Sequence, residues 1–141
     1  MTKDQKKSII NTLEFPIFDT KNGILEMFQG VGFEIKRVFV IRDMKGEDVR
    51  GAHAHHKTQQ ILIAINGGCL VDLDDGEKKE TIELDKFNRG VLLKPYVWHV
   101  MRSFKPNTIL LALASSEYEE SDYIRNYDDF IFFKKRNESS F

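Results

Sequence analysis

Residues 59–84 read QQILIAINGGCLVDLDDGEKKETIEL, and this stretch decides the fold class. Two apolar runs, Gln59–Ile65 and Cys69–Leu73, flank Asn66, Gly67 and Gly68, an arrangement typical of a β-hairpin. A second turn, DDG at 74–76, leads into residues 80–84, where apolar and polar side chains alternate. The stretch therefore predicts three short antiparallel strands in succession.

The same period of two extends through most of the chain. Further strands are predicted near 34–42, 52–55, 90–93, 97–104 and 108–115, and Lys21-Asn22-Gly23 joins 15–18 to 24–28 as another hairpin. Roughly nine or ten short strands, with no long helical segment between them, favour an antiparallel sandwich or barrel. We therefore expect an all-β fold.

The last part of the chain follows a helical period. From Ser121 onward, aromatic and aliphatic residues recur three or four positions apart, and Ser121 or Asp122 is suited to cap the start. These features predict a short C-terminal helix that packs by its aromatic face. The length of 141 residues predicts a single domain, 1–141, with an ordered core at about 9–135.

Composition excludes several classes of function. The net charge of −1 and the absence of a basic stripe argue against a nucleic-acid partner. The longest apolar runs, Ile61–Ile65 and Ile109–Ala114, are too short to cross a membrane. Cys69 is the only cysteine, so no intrachain disulfide forms, and the polar N-terminus lacks a secretory signal. We therefore predict a cytoplasmic protein.

The segment RGAHAHH at 50–56 carries the chemistry. In a strand, His53 and His55 project from one face, about 6.5–7 Å apart along the chain. Their neighbours Gly51, Ala52 and Ala54 are small and leave space around the rings. The pair could serve as metal ligands, as a proton-transfer pair or as buried histidines with satisfied hydrogen bonds. The small neighbours favour one of the two functional roles.

The spacing beyond this pair resembles the two motifs of the cupin superfamily, which are small antiparallel jelly-roll barrels. The matching positions are His53, His55, Gln60, Gly67, Gly90, Pro95 and His99. In the metal-binding members of that superfamily, the first motif provides two His and a Glu as ligands, and the second motif provides a further His. Gln60 occupies the glutamate position here, and an amide is a poor ligand for a divalent cation. A metal enzyme using His53, His55 and His99 is therefore the alternative hypothesis, and a metal-free site is favoured.

Longer strings narrow the resemblance. IKRVFVI, RGAHAHHKTQQILIAINGGC, PYVWHVM and LALASSEYEESDYIRNYDDF are similar to those of the nucleotide-sugar 3,4-ketoisomerases, from about Phe15 to Phe130. The resemblance implies an isomerase that acts on TDP-linked 4-keto-6-deoxyglucose without a cofactor or metal. It also implies a homodimer that exchanges N-terminal strands. A non-catalytic sugar-binding cupin is a third hypothesis, but 141 residues leave no room for a separate effector domain.

The chemistry of such an isomerase agrees with the histidines. Moving a ketone from C4 to C3 requires removal of the C3 proton, an enediol intermediate and return of a proton at C4. Imidazole titrates near neutrality, and because the two carbons are bonded neighbours one base can serve both. We predict that His53 and His55 are the catalytic pair, with either one as the base and the other polarising the oxygen. His99 is predicted to hydrogen-bond the substrate or orient the site.

A nucleotide diphosphate requires a local basic cluster in this weakly acidic chain. Arg37 and Arg50 match family positions and are predicted to bind the substrate, whereas Arg125 is predicted to tie the tail to the body or to a second subunit. Two positions depart from the family resemblance. Phe39 stands where relatives carry tyrosine, and Asn22 lies in a variable loop, so the configuration at C4 of the product stays open.

Overall fold

Alternation of apolar and polar residues produces the strands that the sequence predicts. The computed structural model describes residues 7–139, except the side chain of Ser139, and these residues form twelve strands, one 3-10 helix and one α-helix. The elements are β1 Thr12–Glu14, β2 Ile17–Thr20, β3 Gly23–Glu26, β4 Arg37–Arg42, β5 Arg50–His55, β6 Gln60–Asn66, β7 Cys69–Asp74, β8 Lys79–Leu84, β9 Arg89–Leu93, β10 Trp98–Arg102, β11 Ile109–Ala114, the 3-10 helix Glu120–Asp122, β12 Tyr123–Ile124 and α1 Tyr127–Ser139.

Two five-stranded antiparallel sheets form the body, and this confirms the predicted all-β class. Their strand orders are β1-β9-β6-β11-β4 and β12-β5-β10-β7-β8, while β2 and β3 pair with each other as the predicted hairpin. Leu62, Leu110, Val71 and Met101 come from both sheets and share one buried cluster. Burial of this apolar surface between the sheets is the main stabilising contribution.

Strand β6 explains the uninterrupted apolar run at 61–65. Leu62 and Ala64 belong to the core between the sheets, whereas Ile61 and Ile63 pack on the other face against Phe15. A strand buried on both faces has no reason to alternate. It therefore lies in the middle of its sheet, between β9 and β11.

The C-terminal helix is confirmed, but its predicted start at Ser121 is wrong. Residues 120–122 form a 3-10 turn, and Tyr123 and Ile124 then pair with His55 and Ala54 as β12. The α-helix begins at Tyr127, where the Asn126 side chain accepts the backbone N–H of Asp129 at 3.0 Å as an N-cap. Helical periodicity alone does not separate this short strand from the helix, because Tyr123 and Ile124 are also apolar residues at helical spacing.

The aromatic face of α1 packs as predicted. Phe130 is fully buried with Ala54 and Ile124, and Trp98 joins this cluster on the outer face of the second sheet. The helix thus packs on strand β5 at Ala54. No helix in residues 7–139 is long and apolar enough to cross a membrane. The core limits of about 9–135 stay a prediction, because residues 1–6 and 140–141 lie outside the described part of the chain.

Candidate active site

A β-bulge aims the histidines of β5 at strand β10. Gly51 and Ala52 have φ values of 81° and 57°, both in the left-handed region. The pairing register shifts at this point, so that His53 lies opposite His99 while Gly51 lies opposite Val100. The extra residue bends β5, and bulges of this kind commonly redirect side chains next to functional sites.

Three of the predicted site residues come together as one cluster. The ring centroids of His53 lie 5.1 Å from His55 and 4.7 Å from His99, and those of His55 and His99 are 5.9 Å apart. His55 and His99 are 2% and 1% exposed, whereas His53 is partly exposed. His56 lies outside this cluster, where its Nδ1 is 3.1 Å from the hydroxyl of Tyr96.

The cluster borders a cavity of about 270 Å³. Its polar lining consists of His53, His99, Gln60, Tyr123, Arg50 and Arg125. His55 does not line the cavity, but its ring centroid lies 4.4 Å from that of Tyr123, which does. Because Phe39 also borders the cavity, that wall presents a ring without a hydroxyl.

Burial keeps all three imidazoles neutral near pH 7. Desolvation and the neighbouring His55 lower the pKa of His53 to about 4. Complete burial lowers the pKa of His99 well below its ordinary value, with a contribution from His53 and His55. Burial also lowers the pKa of His55, although a hydrogen bond to Asp122 opposes the shift. Neutral imidazoles can accept a proton, which a reaction at carbon requires.

Asp122 is a site residue that the sequence pattern predicted only as a helix cap. Its Oδ2 lies 3.0 Å from His55 Nδ1, and the carboxylate is 5% exposed. The two residues are 67 positions apart, so no local pattern connects them. The only signal was the place of Asp122 at the head of the DYIR string that carries the family resemblance.

Two of the three arginines that the sequence analysis singled out line the cavity, and the third does not. Arg50 and Arg125 border it, and Arg125 donates to Glu120 at 2.7 and 2.9 Å while its guanidinium lies 4.4 Å from the Tyr123 ring centroid. Arg37 lies outside the lining, with Nη1 3.4 Å from the Tyr123 hydroxyl. Its Nε is buried without a hydrogen-bond partner.

Among residues 7–139, the same three histidines form a group that could hold a metal ion. One ring nitrogen from each of His53, His55 and His99 lies within 4.8 Å of the others. Tetrahedral zinc with bonds of about 2.0–2.1 Å requires ligand nitrogens about 3.4 Å apart, so the rings would have to move inward. A carboxylate bonded to a ligating His is also common at metal centres. The cluster therefore suits proton transfer as it stands, and metal binding after rearrangement.

Known proteins are similar to this chain in sequence and architecture. The sequence model of the family described as "FdtA: WxcM-like, C-terminal" matches residues 8–135. A TDP-4-oxo-6-deoxy-alpha-D-glucose-3,4-oxoisomerase from Aneurinibacillus thermoaerophilus is 44% identical over 116 residues, which are 81% of this chain and 84% of the relative.

Two solved structures are similar over nearly their whole length. One is a histidine-to-asparagine variant of the 3,4-ketoisomerase QdtA from Thermoanaerobacterium thermosaccharolyticum in complex with TDP-4-keto-6-deoxyglucose, with a TM-score of 0.87, 35% identity and coverage of 90% of this chain and 94% of that one. The other is WlaRA, a TDP-fucose-3,4-ketoisomerase from Campylobacter jejuni, with a TM-score of 0.83, 35% identity and coverage of 90% and 96%.

Proposed function

The chain belongs to the FdtA family and is a sugar-nucleotide 3,4-ketoisomerase, and we propose that it moves the keto group of TDP-4-keto-6-deoxyglucose from C4 to C3 by proton transfer through His53 and His55. The observation that carries the mechanism is the cluster of three neutral imidazoles beside a cavity bordered by Arg50 and Arg125. This arrangement combines a base for the sugar with cations for the diphosphate.

The reaction balances without an external oxidant or reductant. A base takes the C3 proton, the C3–H electron pair forms the C3–C4 double bond, and the C4 carbonyl becomes an enediolate oxygen. Transfer of the C3 hydroxyl proton to the C4 oxygen, and return of the proton from the base to C4, then complete the 3-ketone with a hydroxyl on C4. The carbon that is oxidised and the carbon that is reduced belong to the same sugar, so the protein supplies only proton transfer and charge stabilisation.

The three histidines take different roles in this mechanism. One member of the pair His53 and His55 transfers the proton between C3 and C4, and the other donates a hydrogen bond to the developing oxyanion. His99 Nδ1 lies 3.4 Å from the Val97 carbonyl, which favours a proton on Nδ1 and leaves Nε2 as an acceptor for a sugar hydroxyl. His99 therefore orients the substrate.

Arg50 is the first candidate for the diphosphate because it borders the cavity next to the β5 bulge. Arg125 is a second candidate, and its exposed ion pair with Glu120 can be exchanged for a phosphate at little cost. Arg37 lies outside the lining and contacts the hydroxyl of Tyr123, which borders the cavity. It therefore acts on the substrate by positioning Tyr123. The family resemblance implies both Arg37 and Arg50 as substrate-binding residues. The cavity lining supports this role more strongly for Arg50.

The function is tested by incubating the protein with TDP-4-keto-6-deoxyglucose and an aminotransferase specific for the 3-ketone. A 3-amino sugar nucleotide is expected, together with incorporation of solvent deuterium at the carbons that exchange protons. Binding of the nucleotide sugar without any 3-amino product would instead identify a non-catalytic sugar-binding protein.

A metal-dependent reaction is the second candidate, because His53, His55 and His99 form a convergent nitrogen set. Turnover is measured before and after exhaustive chelation, with elemental analysis of protein purified without chelator. We expect unchanged turnover. Loss of activity that one divalent cation restores would establish the metal-dependent alternative.

We also propose that the protein works as a homodimer, in the cytoplasm, with N-terminal strands exchanged between subunits. Support comes from exposed apolar residues: Val38 and Val40 on the edge strand β4 are 58% and 52% exposed, and Leu25 on the hairpin is 58% exposed. Among the described residues β4 pairs only with β11, so its free edge needs cover. Sedimentation should report a dimer that Val40→Lys weakens and Val49→Lys, at another exposed valine, leaves intact. A stable wild-type monomer at micromolar concentration would contradict this.

A further inference from the structure

Among the described residues that line the cavity, only Tyr123 carries a hydroxyl group. Tyr123 is the residue of β12 that pairs with His55 of β5, and paired residues of antiparallel strands project from the same face of the sheet. The Tyr123 side chain therefore shares the face of His55, whereas Ile124 and Ala54, the next pair, pack on the opposite face against Phe130 of α1. Strand pairing thus places the phenol at the histidine cluster.

Contacts of its ring hold Tyr123 in place. The ring centroid lies 5.0 Å from that of His53 and 4.4 Å from that of His55. It also lies 5.5 Å from the ring centroid of Tyr118 and 4.4 Å from the guanidinium of Arg125. Because the ring makes these contacts, a phenylalanine at this position keeps them. Removal of the hydroxyl alone therefore leaves the histidines in place.

The hydrogen bond from Arg37 determines what the Tyr123 hydroxyl can do. Arg37 Nη1 donates to Tyr123 Oη at 3.4 Å. A guanidinium has donors but no acceptor, so the phenol oxygen must use a lone pair in this bond, and its own proton is left for another acceptor. No group within residues 7–139 accepts that proton. Because Tyr123 borders the cavity, its O–H is available to a molecule bound there.

We infer that Tyr123 is a catalytic residue whose hydroxyl donates a hydrogen bond to the C4 oxygen of the sugar as that oxygen becomes negatively charged. This role rests on the proposed function. When the base removes the C3 proton, the C4 carbonyl oxygen becomes the enediolate oxygen, and a donor that is already oriented stabilises its charge without reorganisation. Tyr123 is a second donor there, beside the imidazole of the proposed mechanism. It keeps its proton throughout, so it adds no step to the reaction.

Tyr123→Phe tests this role because it removes the hydroxyl and keeps the ring. We expect kcat to fall by about 10²–10³-fold, the usual effect of removing one oxyanion donor. The dissociation constant for TDP should change less than threefold, because TDP lacks the keto sugar. Exchange of the C3 hydrogen with solvent deuterium should fall by the same factor as turnover, since both reactions pass through the enediolate.

The matched control is Tyr127→Phe, which also removes a hydrogen-bonded hydroxyl, here one that donates to Asp74 at 2.6 Å outside the cavity lining. Its turnover should equal that of wild type. Arg37→Gln should lower kcat about tenfold, because Tyr123 keeps its hydroxyl but loses the donor that orients it. Added to Tyr123→Phe, Arg37→Gln should lower kcat no further, because Arg37 acts through the missing hydroxyl.

A folded Tyr123→Phe variant with turnover within threefold of wild type would overturn the inference. Loss of turnover with wild-type exchange at C3 would also overturn it, because the hydroxyl would then act after the enediolate has formed. Weaker binding of TDP with unchanged kcat would instead identify Tyr123 as a diphosphate ligand and overturn the catalytic role. If Tyr123→Phe does not fold, unchanged turnover of Arg37→Gln overturns the inference. A wild-type protein that converts no sugar nucleotide would overturn the proposed function itself, and the catalytic role of Tyr123 with it.

Discussion

The backbone conformation of Gly51 sets the position of His53 in the active site. Its φ of 81° lies in the left-handed region, and a Cβ added there would come within 3.0 Å of the His99 carbonyl oxygen and 3.2 Å of Met101 Sδ. The methionine can move aside, but the carbonyl belongs to the backbone of β10. Gly51→Ala should therefore push β5 away from β10 and displace His53 from its position opposite His99.

Gly32→Ala separates this crowding from the conformational strain. Gly32 has a similar φ of 87°, but a Cβ there would meet nothing within 4 Å. Both substitutions should cost about 1–2 kcal/mol of unfolding free energy for placing alanine in the left-handed region. Gly51→Ala should cost about 1–3 kcal/mol more, on the scale of overpacking a well-filled site.

Turnover should separate the two variants more clearly than stability does. A displacement of about 1 Å at a reacting group can cost about 10²-fold in rate, so a shift of about half that size predicts about a tenfold loss for Gly51→Ala. Gly32→Ala should retain wild-type turnover. Urea unfolding measures the first quantity and the aminotransferase-coupled assay measures the second. Wild-type turnover in a folded Gly51→Ala variant would refute the claim that the bulge positions the histidines.

Three further outcomes follow from the site. Replacing either His53 or His55 by Asn should lower turnover by about 10²–10⁴-fold. The control His56→Asn, which lies outside the cavity, should leave turnover unchanged. Wild-type rates in both the His53 and the His55 variants would exclude these two histidines from the mechanism. The pKa of about 4 for His53, against 6.5 in the unfolded chain, means that the unfolded state binds more protons between these values. Stability should therefore fall as pH drops through this window, by up to about 3 kcal/mol by pH 4, and His53→Asn should remove that part of the pH dependence of urea unfolding. Arg50→Gln should weaken TDP binding, measured by calorimetry, about 10–100-fold, as expected for the loss of a charged hydrogen bond. The control Arg42→Gln, on the exposed side of β4, should bind TDP with wild-type affinity. Equal affinities of the two variants for TDP would exclude Arg50 as a diphosphate ligand.

The strands were predictable because their signal is local. The turn residues at 66–68 and 74–76 and the alternation between them set the succession β6, β7 and β8 within a few residues of the observed bounds. The tail was less predictable, since Tyr123 and Ile124 have the apolar character of a helix face. They form a strand only because the neighbouring edge of β5 offers unpaired backbone groups at His55 and Ala54.

The sequence by itself determined the all-β class and the shared face of His53 and His55, because both follow from the two-residue period of a strand. Its longer strings also indicated the family and hence the reaction. Only the tertiary structure decided that His99 completes the cluster, that Arg50 lines the cavity and Arg37 does not, and that Asp122 bonds His55. These relations join residues far apart in the chain, and they depend on sheet pairing and on a bulge whose geometry no short segment encodes. The tautomer of a buried imidazole depends on its hydrogen-bond partner, and folding supplies that partner from 67 residues away.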